Sequence, residues 1–342
     1  MLPTVPGLER LGVKRVPVPV PFIEAGGPAN VYVIEEDGGG LALFDAGIGT
    51  ADGEAALLAG FRELGRDLKE VRRIFVSHGH IDHYGYARAT QELSGAPVFA
   101  HPRDHDKITW RNLRDEPVER YVQYLVRLGA PAELQSRIRE MVARTDRYAR
   151  PVENVEPLTP GTTLKFARFQ AEVVHMPGHT PGLVCLWDQE HKVLFSDDHL
   201  LEAVSPNPLI DLEGGLEAGL DGDPGSERPR HRALVEYLRS CAKVRELPIE
   251  LVAPGHGAPF SGHVPLIDRL TSFYTRRQEK VLGLLAEGAL TAAKLAPLVF
   301  PRARPHQLFL ILSEVLGNLE VLEDQGRIVR RVREGVWVFE KV

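Results

Sequence analysis

Apolar and polar positions alternate along much of roughly the first hundred residues, the period-two pattern of half-buried strands. Asn30-Val-Tyr-Val-Ile34 and Leu41-Ala-Leu-Phe44, joined through the turn Asp37-Gly-Gly-Gly40, predict a hairpin. Val16-Pro-Val-Pro-Val-Pro-Phe-Ile23 also alternates, but its prolines cannot donate to a ladder, so it belongs at a sheet edge or outside the sheet. Asp45-Ala-Gly-Ile-Gly49 turns the chain into a helix over 52–64, and 71–76 reads as a further strand. The period then changes. Tyr121, Leu125 and Leu128, followed by Leu134, Ile138, Met141 and Val142, recur at helical steps, which predicts amphipathic helices over 118–128 and 132–147. They form a helical insertion over about 104–150. Strand patterns return at 171–175, 183–187 and 192–195. A glycine- and acid-rich loop over 211–230, a helix over 230–246 and a strand over 249–253 follow.

Beyond 265 the pattern is helical at 267–286, 291–298 and 305–324, and closes with paired strands at 327–332 and 336–340. Three helices and a terminal hairpin make a small winged-helix-like unit. The expected division is therefore a body over 1–265, carrying the insertion, and a smaller domain over 266–342.

Composition narrows the class without naming a function. The 342 residues are 43% hydrophobic and 26% charged, the make-up of an ordinary globular protein rather than a disordered or fibrous one. No apolar run reaches membrane-spanning length, and the start Met1-Leu-Pro-Thr shows no secretory pattern. The 2 cysteines, Cys185 and Cys241, cannot build a disulfide framework, so a reducing cytoplasm is the expected compartment. A net charge of −6 disfavours wholesale nucleic-acid binding.

The chemistry concentrates in His78-Gly-His80-Ile-Asp82-His83, directly after a strand. A spacing of two lets His78 and His80 point the same way from an extended turn, while the adjacent Asp82 and His83 point elsewhere, so the segment can serve two metal ions. Imidazole with carboxylate suits zinc, iron or manganese. Three imidazoles among six residues, in a chain with 13 histidines in all, argue against a chance cluster of solvated loop side chains. Met176-Pro-Gly-His179, Ser196-Asp-Asp198 and Pro254-Gly-His256 also follow strand patterns. Each is weak alone; the four in this order are not. His101, His105, His175 and His199 lie near these motifs and read as supporting or packing residues.

The run resembles the HxHxDH signature of the metallo-β-lactamase superfamily, and the segments at His179, Asp198 and His256 match its later ligand motifs. Asp45-Ala-Gly47 is similar to the supporting Asp-Thr-Gly turn of that family, with Ala46 in place of threonine. The resemblance covers about 15–265 and implies an α/β fold, an αββα sandwich with its ligands at one edge of two facing sheets. It assigns His78, His80 and His179 to one divalent ion, Asp82, His83 and His256 to a second, and Asp198 as the bridge. The family has glycine before the bridging carboxylate, where this chain has Asp197; either aspartate can be read as the bridge, and the following His-Leu-Leu favours Asp198. With its tail, the chain resembles the subfamily that includes β-lactamase-like protein 2.

What the resemblance implies is a hydrolase with two divalent ions, zinc ahead of iron or manganese, acting through a bridging hydroxide on a small ester, thioester or lactone. Asp82 would steer that hydroxide or accept its proton. Two alternatives use the same motifs. One is a single-strand endoribonuclease; the other is a mononuclear iron persulfide dioxygenase that leaves Asp82, His83 and His256 off the metal. A DNA-binding regulator is disfavoured, because the polar positions of the helix over 305–324 include no lysine or arginine to meet phosphate. The expected partner is a small-molecule substrate, without a membrane; RNA and a homodimer stay open. The insertion is expected to cap the cleft.

Overall fold

The computed structural model describes residues 2–211 and 230–342. The glycine- and acid-rich loop read from the sequence lies almost wholly outside these residues. Among them, strands β1 (Val13–Val18), β2 (Ala29–Glu35), β3 (Leu41–Phe44), β4 (Val71–Phe75), β5 (Val98–Ala100) and β6 (Val155–Pro157) form one sheet in chain order. The first three pair antiparallel and the last three join in parallel. Only the start of the proline-rich segment, Val16 to Val18, belongs to the edge strand, with Pro17 opposite Asn30, and its remaining residues lie outside the sheet, as the missing donors require. A second sheet has the order β11 (Leu251–Pro254), β10 (Val193–Asp197), β9 (Val184–Asp188), β8 (Gln170–His175), β7 (Thr163–Lys165).

The sheets face each other across a dry core. Tyr32, Ile34, Phe44 and Phe75 of one pack against Val173, Val184, Leu186 and Phe195 of the other. Phe195 meets Tyr32 and Phe44 edge-on at ring separations of 5.4 and 6.3 Å. On the outer face of the first sheet, α1 (Ala51–Glu63) buries Leu57 and Phe61, its first turn capped by the Thr50 side chain. The second sheet is covered by α2 (Ala233–Arg245) and α3 (His263–Leu285). Layer order is thus helix, sheet, sheet, helix, the αββα sandwich.

The C-terminal segment continues from α3 through α4 (Ala292–Val299) and α5 (Leu308–Asp324) to the hairpin of β12 (Ile328–Arg333) and β13 (Val336–Lys341). It does not pack alone. Val122, Leu125, Leu134 and Ile138, from the inserted helices Asp115–Arg127 and Ala132–Val142, and Leu128 at the end of the first share one core with Leu282, Leu295, Leu312, Leu319, Trp337 and Phe339. The apolar stripes of the insertion and of the tail are each other's partners. Among the described residues, no helix is long and apolar enough to cross a membrane.

Candidate metal centre

The residues singled out in sequence all fall where strands end. His78 follows β4, His80 precedes the single helical turn Ile81–Tyr84 that carries Asp82 and His83, and His179 lies between β8 and β9. Asp198 follows β10 and His256 follows β11. Backbone bonds tie the loops of the two sheets together: Val184 N–H donates to Ser77 O at 2.9 Å, and Asn30 N–H to Gly255 O at 2.7 Å.

His78, His80 and His179 offer ring nitrogens within 4.8 Å of one another, and Asp82, His83 and His256 offer a second such group. Asp198 stands between them. Its Oδ2 is 3.3 Å from His179 Nε2 and 3.6 Å from His83 Nε2, and its Oδ1 is 3.6 Å from His256 Nε2. Asp82 Oδ2 lies 3.4 Å from His256 Nε2. The structure therefore brings all seven sequence-picked side chains into one cluster.

Three of the rings are oriented from behind. His83 Nδ1–H donates to Asp45 Oδ2 at 2.9 Å, His179 Nδ1–H to Asn207 O at 3.1 Å, and His256 Nδ1–H to Gly27 O at 3.0 Å. Those bonds fix the tautomer that turns the Nε2 lone pair inward. The inward Nε2 atoms of His83, His179 and His256, together with Asp198 Oδ1, are buried and have no hydrogen-bond partner. Converging unpartnered lone pairs are costly unless a cation receives them, so the donor set fits divalent metal.

Two further carboxylates lie beneath the cluster. Asp45 accepts from the Ser77 N–H at 2.7 Å and its hydroxyl at 2.8 Å as well as from His83. Asp197 Oδ1 sits 3.1 Å from His78 Nδ1 and 3.3 Å from His83 Nδ1, facing the backs of the rings. Of the two adjacent aspartates, it is thus Asp198 that lies between the two groups, while Asp197 meets the rings from behind. Burial, and next the negative charge of Asp197, push the Asp45 carboxyl well above the ordinary range. Burial opposes ionisation of Asp82 too, but His83 and His256 outweigh it and hold Asp82 below its usual value.

Of the neighbouring histidines, His101 stacks on His175 with ring centroids 4.2 Å apart, and His105 Nε2 bonds Ala100 O at 2.9 Å. His199 is fully buried, and neither of its ring nitrogens has a partner. Among the described residues, none of the four belongs to the ligand groups. Sequence reasoning missed Asp104, a buried carboxylate that bonds both the His78–His80 loop and the His179 loop. Nothing in its spacing marks it.

The cluster forms the floor of a cavity of about 1320 Å³. Val118, Tyr121 and Val142 of the insertion line one wall, and Phe273, Phe300 and Phe309 of the tail another.

A family profile described as Metallo-beta-lactamase superfamily matches residues 25–256. The chain is similar to Probable metallo-hydrolase YqjP of Bacillus subtilis (strain 168), 27% identical over 92% of this chain and 93% of that one. It is also similar to the acyl-coenzyme A thioesterase MBLAC2 of Homo sapiens, 27% identical over 74% of this chain and 81% of that one. Among solved structures it matches the metallo-beta-lactamase family protein TTHA1429 from Thermus thermophilus. That match has a TM-score of 0.80 and 27% identity, and covers 97% of this chain and 99% of the other.

Proposed function

The chain belongs to the metallo-beta-lactamase superfamily, and on that premise we propose that it is a metal-dependent hydrolase of thioesters that carry an apolar acyl group. The observation that carries this reading is the cavity: its floor is the ligand cluster, while its walls are mainly aliphatic and aromatic side chains. At about 1320 Å³ it exceeds the ~300–1,000 Å³ that suits most drug-sized ligands, so it has room for both an acyl chain and part of its thiol carrier. MBLAC2 of Homo sapiens is an acyl-coenzyme A thioesterase and GloC of Haemophilus influenzae a hydroxyacylglutathione hydrolase. Both act on thioesters, which supports the same class here.

His78, His80 and His179 would hold one divalent ion and Asp82, His83 and His256 a second, with Asp198 shared. Ions bound there supply Lewis acidity toward a carbonyl oxygen and a lowered pKa for water. The reaction forms a carbon–oxygen bond from water to the acyl carbon and breaks the carbon–sulfur bond, releasing a carboxylic acid and a thiol. Asp82, ionised and on the cavity floor, is the base positioned to accept the water's proton. The apolar walls hold the acyl chain and exclude bulk water from the carbonyl.

The test is kcat/KM for a series of acyl thioesters sharing one thiol. A buried methylene contributes about 0.8 kcal/mol, so kcat/KM should rise by up to about fourfold per added carbon until the cavity is filled. Val142→Trp, which narrows the cavity, should flatten the series at its long end. A flat series, alongside cleavage of single-stranded RNA that falls steeply with salt, would transfer the assignment to the nuclease.

A further inference from the structure

We propose that Asp104 is the positioning residue that pins the loop of His78 and His80 to the loop of His179, and so sets the geometry of the three-histidine group. Asp104 is fully buried at the start of the insertion. Its Oδ2 accepts from the Gly79 N–H at 2.8 Å and from the Thr180 hydroxyl at 2.6 Å. Its Oδ1 accepts from the Gly182 N–H at 3.1 Å and from the Lys107 ammonium at 3.0 Å. Gly79 lies between the two histidines of one loop, and Thr180 and Gly182 follow the histidine of the other. One carboxylate therefore spans loops that arise from different sheets. Lys107, which also pairs with Asp211, supplies the positive charge a buried carboxylate needs.

The packing around it is as close as the backbone allows. A Cβ on Gly79 would stand 2.8 Å from Lys107 Cβ, and one on Gly182 would stand 2.7 Å from Asp104 Cγ. Both glycines are required because this segment presses against them. All four groups around Asp104 are donors, so an asparagine would turn its own NH₂ toward two of them. Asp104 touches none of the ligand nitrogens and does not line the cavity; it acts through the loops.

The inference rests on the metal reading above, so its test uses metal binding rather than turnover. Metal-free full-length protein is titrated with Co²⁺ and followed by visible absorption in two backgrounds. His256→Ala leaves the three-histidine group complete, and His80→Ala leaves the other. In the first background Asp104→Asn should weaken Co²⁺ by roughly tenfold or more and change the absorption spectrum, while in the second it should leave the affinity unchanged. Thr180→Val, which removes one bond, should weaken the three-histidine group several-fold, and Thr180→Ser should restore it. Should Asp104→Asn fail to fold, the Thr180 pair decides. Equal losses in both backgrounds, or Thr180→Val binding as tightly as Thr180→Ser, overturn this inference alone. A wild type that takes up no Co²⁺ overturns the metal reading and this inference with it.

Discussion

Replacing Asp197 with glycine separates what the cluster costs the fold from what it does for metal. Asp197 has φ +47°, in the left-handed region, where a residue with a Cβ is destabilised by about 1–2 kcal/mol. Its Oδ2 is buried without a partner, which adds about 1–3 kcal/mol. Glycine removes both penalties. Against that stands the loss of the hydrogen bond Oδ1 accepts from the Asp198 N–H at 2.9 Å, about 1.5–3 kcal/mol, and of the weaker electrostatic contacts to His78 Nδ1 at 3.1 Å and His83 Nδ1 at 3.3 Å. The two sides cancel to within about 2 kcal/mol, so the metal-free variant should unfold in denaturant close to the wild type. Metal affinity has no such compensation. With Asp197 gone, His78 Nδ1 loses its carboxylate neighbour and keeps the Ser77 hydroxyl at 2.9 Å, so affinity should drop by roughly 10–100-fold in competition with a chelator. A metal-free variant destabilised by 4 kcal/mol or so, or a metal affinity equal to the wild type, would refute this division of roles.

Other outcomes follow from the packing and from one buried imidazole. Leu128→Ala, in the core shared by insertion and tail, should destabilise by about 2–5 kcal/mol and lower a single cooperative transition; a proteolysis pattern that loosens the insertion while the tail stays protected would contradict the shared core. Burial, and next the charge of His179, depress His199 to about 3. The unfolded chain therefore takes up this proton first, near pH 6.5, and stability present above that value is lost as pH falls towards 3. His199→Phe should make the metal-free stability curve shallower over that interval by about 1.4 kcal/mol per pH unit, and equal slopes for the two proteins would refute it.

The alternating hairpin over 30–44, the proline-bearing edge strand and the helices of the tail were legible because each is a long, regular pattern. The strands Val98–Ala100, Val155–Pro157 and Thr163–Lys165 were not, since three residues cannot establish a period. The helix Ala87–Ser94 was missed as well; the residues it buries, Ala87 and Thr90, are small, so no large apolar side chain marks its inner face. The seven residues that gather in the cluster could be picked out because four of them crowd into His78–His83 and the other three each follow a strand pattern beside glycine, proline or a second aspartate. Their supports could not: Asn207 and Gly27 contribute carbonyls, which any residue carries, and Asp104 is chosen by a hydrogen-bond pattern that exists only once two distant loops meet. The periodicity of the insertion likewise showed that one face is buried, but not that the tail is what buries it.

That pairing governs how the protein can be made. Tyr124 leaves the ribosome long before Trp337, whose ring it meets at 5.2 Å in the finished core. At ~5–20 residues per second the delay is on the order of ten seconds or more, during which the apolar faces of the inserted helices have nothing to cover them. The sandwich, by contrast, has all its strands by Pro254 and can close first. A ribosome stalled once His256 has emerged would then display an assembled histidine cluster beside an exposed, aggregation-prone arm, and a chain without the hairpin of β12 and β13 would leave that arm sticky. The hairpin of β12 and β13 thus acts as a built-in chaperone for a segment made roughly two hundred residues earlier.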